Sequence, residues 1–104
     1  MIKEVKTITP DVAKAYLKDH VNIRPAHQRM IDEMKADIEA GIFNKDDANI
    51  CFDTDNKFYY GQHILNAIIQ LDKEVELNEY HLENTDSRKE KSVGYLNRGS
   101  KYKW

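Results

Sequence analysis

Apolar positions recur along the chain with a helical period in three places and with a strand period in several shorter ones. Ile2, Val5 and Ile8 lie in a short stretch that reads as a first strand. Thr9 and Pro10 then start a helix over roughly 10–19, since threonine caps and proline is favoured at the first helical position. Val12, Ala13, Tyr16 and Leu17 form its apolar stripe. Pro25 disfavours helix at Arg24, so the chain breaks before a second helix over roughly 26–40. Met30, Ile31, Met34 and Ile38 give that helix one buried face, and Gly41 ends it as a left-handed cap. The polar run 44–49 reads as a loop.

Residues 50–60 read as strand, tight turn and strand, with Asp53, Asp55 and Asn56 serving the turn through bonds to nearby backbone. Gly61 stops the second strand, and Ile64, Leu65, Ile68 and Ile69 mark a third helix over roughly 62–71. Residues 75–82 alternate imperfectly through Val75, Leu77, Tyr80 and Leu82, which predicts a further strand. Ser87 to Glu90 fits a capping box opening a last helix to about Asn97, with Gly99 beyond it. The predicted order is β-α-α-β-β-α-β-α, an α+β domain.

The 104 residues suffice for one domain, and 40% hydrophobic content supplies one modest core. No apolar run approaches the roughly 20 residues needed to cross a bilayer, and the opening MIKEVKTITP has no secretory h-region. The single cysteine, Cys51, cannot form an internal disulfide and fits a reducing, cytoplasmic compartment. On its strand it falls opposite Ile50 and Phe52 and reads as a buried, inert thiol. One Cys and four scattered His lack zinc-ligand spacing, and Asp53 and Asp55 read as turn formers rather than as a metal pair. No metal or cofactor is expected.

Charge divides the chain. Residues 1–85 carry ten Lys/Arg against sixteen Asp/Glu, whereas residues 86–104 carry six against two. An acidic core over 1–85 is therefore followed by a basic helix and tail of the same domain over 86–104. Arg88, Lys89, Lys91, Arg98, Lys101 and Lys103, interleaved with Tyr95, Tyr102 and Trp104, can contact phosphates and stack on bases, or contact a protein partner. The alternative is a solvated terminal helix.

Candidate chemistry lies where a strand turns into a helix. At Tyr60-Gly61-Gln62-His63 a glycine lets backbone approach a ligand, and the amides and dipole of the following helix favour an anion. Gln62 and His63 add polar groups, and His63 can also move a proton. The alternative is that Gly61 merely permits the turn. Upstream, Arg24 held by Pro25 suits a bidentate grip on phosphate, and His27 and Gln28 open the next helix beside it.

These residues resemble the ParB-like domains of phage and mobile-element proteins, within the ParB/sulfiredoxin superfamily. The resemblance rests on Thr9-Pro10, Asn22-Ile23-Arg24-Pro25, Gly41, Phe52-Asp53-Thr54-Asp55 and Tyr60-Gly61-Gln62-His63-Ile64-Leu65, and it spans Ile8 to Leu71. Asp86-Ser87-Arg88-Lys89 resembles a later family segment more weakly. The resemblance implies a pocket of Arg24, Gln28, Gly61, Gln62 and His63 that binds nucleotide or nucleic acid, in a superfamily whose members hydrolyse CTP or act as nucleases. Two departures imply weakened catalysis: Tyr60 replaces the family's Asp, and Ile64 replaces the Arg that grips phosphate, unless Ile64 belongs to the core. Gln62 stands where sulfiredoxins carry their catalytic Cys, which disfavours that chemistry. The second function class is a protein-binding inhibitor of a host defence complex, of the anti-CRISPR kind, with an acidic body facing a nucleic-acid-binding surface or nucleoprotein. Oligomeric state stays open.

Overall fold

In the computed structural model, which describes residues 2–18 and 26–83, several expected boundaries have a visible cause. Strand β1 (Ile2–Ile8) runs into helix α1 (Pro10–Lys18), where the Thr9 hydroxyl accepts the Val12 N–H at 3.2 Å. Helix α2 (Gln28–Ala40) ends on Gly41 at φ 73°, where Gly41 and Ile42 donate back to Ile38 and Asp37. Strands β2 (Ile50–Phe52) and β3 (Phe58–Tyr60) flank a turn built on Asp53, whose carboxylate accepts the N–H groups of Asp55 at 2.9 Å and Lys57 at 3.0 Å. Asn56 takes the left-handed conformation there, at φ 61°. Helix α3 (Gln62–Leu71) leads into β4 (Val75–His81). Within the polar run 44–49 the chain makes one 3-10 turn, Lys45–Asp47, capped by the Asn44 side chain.

The strands form one mixed sheet in the order β1-β4-β2-β3. β4 lies antiparallel to β1 and parallel to β2, and β2 and β3 form the hairpin. The chain is thus a small α+β domain with three helices and four strands among the described residues. The expected last helix lies outside them.

One face of the sheet carries the core. Ile8, Ile50, Phe52, Phe58 and Leu77 meet Ile64, Leu65, Ala67 and Ile68 of α3, and α1 and α2 both pack on α3. Of the α2 stripe, Ile31 and Met34 are buried while Met30 and Ile38 pack at the margin. Cys51 is buried on the opposite face with Leu82, as strand alternation predicts. Ile68 has no exposed surface, so Ile68→Ala is expected to cost about 2–5 kcal/mol, read as a lowered denaturant midpoint. A loss under about 0.5 kcal/mol would contradict this core. No helix among the described residues is long and apolar enough to cross a membrane.

Candidate functional site

Two helix starts meet at His63. Gly61, at φ 115°, turns β3 into α3 and leaves His63 in the first helical turn, only 7% exposed. Its Nε2 accepts the backbone N–H of His27, the N-cap of α2, at 3.1 Å. The His27 and His63 rings lie parallel with centroids 5.8 Å apart. Accepting at Nε2 requires the neutral ring with its proton on Nδ1. Burial, and secondarily the His27 charge, hold the His63 pKa below the ordinary histidine value. The N-terminal ends of α2 and α3 thereby converge, with partial positive charge from both helices.

This geometry assigns each candidate residue differently. A Cβ on Gly61 would sit 2.5 Å from Ile50 Cγ2, so the close approach that glycine allows is to β2. Gln62 is half-buried and its carbonyl accepts the Asn66 side-chain amide at 2.8 Å. The Gln28 side-chain amide donates to Asp32, one turn along α2, and to Gln70 of α3, each at 2.9 Å. Ile64 has no exposed surface and belongs to the core. Arg24 lies outside the described residues, as do Arg88, Lys89, Lys91, Arg98, Lys101, Lys103 and Trp104. The structure therefore joins His63 to the start of α2, and it directs Gln28 elsewhere.

The His63 proton can be tested through stability. The unfolded chain takes up this proton below about pH 6.5, while the folded ring resists it. The unfolded state then binds more protons, so stability rises with pH in that window and falls as pH drops from about 6.5 through the lower folded pKa. His63→Gln, which keeps an acceptor and does not titrate, is expected to flatten the dependence of the urea midpoint on pH below 6.5. An unchanged slope would show that His63 is not held neutral.

A second polar cluster escaped the sequence reading. Glu79 of β4 is 1% exposed on the helix-facing side of the sheet. Its carboxylate accepts from the Tyr16 hydroxyl at 2.8 Å, the Lys6 ammonium at 3.1 Å and His81 Nε2 at 2.9 Å. Lys6 also reaches Glu4 at 3.3 Å, and the His81 ring stacks on Phe52 at 4.8 Å. Burial, reinforced by the Glu79 bond, pushes the Tyr16 pKa up to about 12. The Glu79 bond likewise raises the Lys6 pKa, against the opposing effect of burial. Glu4, Glu79 and His81 bring three ligand atoms within 4.8 Å of one another, but the Lys6 ammonium already sits against both carboxylates. The cluster therefore ties β1 and α1 to β4 as a compensated buried charge. Its signal in the sequence was the imperfect alternation of 75–82, where Glu79 takes an inward position that an apolar residue would otherwise hold. Tyr16→Phe leaves a buried carboxylate oxygen short of one donor, and a loss of about 1–3 kcal/mol in chemical denaturation is expected. No measurable loss would mean water replaces the hydroxyl.

A groove of about 490 Å³ lies apart from these residues, between the end of α2 and the start of β4, lined by Ile38, Ile42, Phe43 and Val75 with Lys45 and Glu76. No model of a known protein family, no curated protein and no solved structure matches the chain.

Proposed function

We propose that this chain is a ParB-like binding domain without catalytic chemistry, taking the phosphate of a nucleotide or nucleic acid weakly where α2 and α3 begin. The observation that carries the reading is the 3.1 Å bond from the His27 N–H to His63 Nε2, which aims two helix N-termini at one place. That place adjoins the Gly61-Gln62-His63 turn, which carries part of the resemblance. With Ile64 in the core, no guanidinium from that position reaches the ligand. Affinity is then set by backbone dipoles and His27, at about 1 mM, or about 4 kcal/mol of binding.

The test uses His27→Asp. Asp is a better N-cap than His and stabilises a helix start, yet its charge repels phosphate. Titration with CTP, and separately with a single-stranded oligonucleotide, is expected to show weak binding to the parent. In His27→Asp that binding is lost while the melting temperature stays level or rises. Equal binding by both proteins would overturn the site, and no binding to the parent would overturn the function. The latter outcome favours the second reading, a protein-binding inhibitor of a host defence nucleoprotein, which draws on the buried Ile64 and the acidic body. A stable complex recovered with a purified defence nucleoprotein would support it.

A further inference from the structure

Strand β1 is an edge strand: among the described residues it pairs only with β4, and Ile2 to Thr7 are exposed. Its outer side carries a row of backbone N–H and C=O groups, the kind of edge that takes up another strand. Ile2 and Val5, each 51% exposed, are two of the three large hydrophobics left open to solvent among the described residues. Glu4 and Lys6 are each about half exposed and lie on the helix-facing side with Glu79, while Val5 lies on the other side. Edge strands usually carry charges that prevent pairing, so which charges would meet decides whether this one can pair.

Antiparallel pairing of β1 with β1 of a second copy around a twofold axis places residues symmetrically about one centre. Centred on Lys3, Glu4 or Lys6, that residue meets its own charge, which is destabilising. Centred on Val5, Glu4 lies opposite the partner's Lys6 and Lys6 opposite the partner's Glu4. Lys3 then lies opposite the partner's Thr7, and Val5 packs on the partner's Val5. Of the registers that keep most of the strand paired, this one opposes no like charges and matches two unlike pairs. The Lys6 ammonium has three donors, enough to keep Glu79 while meeting the second copy's carboxylate.

We propose that β1 is a homodimerisation edge, joining two copies through a twofold strand pair centred on Val5 into one eight-stranded sheet. The interface is a single strand pair, and the association is accordingly weak and concentration-dependent.

Sedimentation of the full chain over a concentration series tests this. The parent is expected to move from monomer to dimer as concentration rises. Val5→Glu and Val5→Lys each place like charges on the axis and are expected to weaken dimerisation roughly tenfold or more. An equimolar mixture of the two variants sets unlike charges opposite one another and is expected to restore a dimer. Val5 is exposed, so both variants should melt with the parent. A parent that stays monomeric at every concentration overturns the proposal, including the case where another segment of the chain covers the edge. Variants that dimerise like the parent, or a mixture that fails to dimerise, overturn the Val5-centred register.

Discussion

Ile64→Arg is expected to unfold the domain and not to supply a phosphate grip. Where the ParB-like pattern has an arginine, this chain has an isoleucine with no exposed surface, packed among α3, β2 and the helices that cover them. A guanidinium there would lose its hydration and find no carboxylate partner in that apolar cluster. An uncompensated buried charge costs about 3–5 kcal/mol or more, against a typical total of about 5–15 kcal/mol for a domain. Thermal melting of the variant is therefore expected to show a large drop in midpoint or no cooperative transition. A variant that melts with the parent and binds CTP more tightly would place position 64 in the cleft and reverse the account of the site. Ile64→Val separates packing from charge, with an expected loss of about 0.5–1.5 kcal/mol.

Gly61→Ala is the second large effect. The backbone at Gly61 has φ 115°, a conformation L-residues rarely adopt, and the added methyl would meet Ile50 Cγ2 at 2.5 Å with the Asn49 carbonyl at 3.1 Å. Backbone strain of about 1–3 kcal/mol adds to overpacking of similar size, for a total of roughly 2–6 kcal/mol. The clash pushes α3 away from β2, so the His27–His63 bond is expected to loosen with it. Denaturant unfolding gives the energy, and the His27 amide resonance reports the bond. A loss below about 1 kcal/mol would mean that the turn relaxes freely and that Gly61 does not fix the helix start.

Much of this fold was legible because its elements carry local signals. Thr9-Pro10 starts α1 through a cap that sequence alone specifies, Gly41 ends α2 in the left-handed conformation, and Asp53 builds the hairpin turn with its own carboxylate. The α3 stripe needs only a period of 3.6 to be read. What was not legible depended on neighbours distant in sequence. Gln28 looked like a pocket residue because it opens α2, but its amide turns to Gln70, 42 residues away. His63 looked like a ligand or proton carrier, and its lone pair is instead taken by a backbone N–H 36 residues upstream. As a residue type Glu79 carries no local signal of burial, because a buried carboxylate is unfavourable without its partners, and two of them, Lys6 and Tyr16, come from β1 and α1. α2 begins at Gln28, two residues later than expected, after an extended His27. Its N–H, like the first N–H groups of any helix, has no partner in the helix ladder and is directed to His63.

The proposed function puts a phosphate site where α2 and α3 begin. Amide chemical-shift mapping of the full chain during titration with CTP tests it most directly. The account predicts saturable shifts concentrated at residues 27–30 and 61–64, with small changes elsewhere on the sheet. Saturable shifts confined to other parts of the chain, or none at concentrations well above the expected affinity, would contradict it.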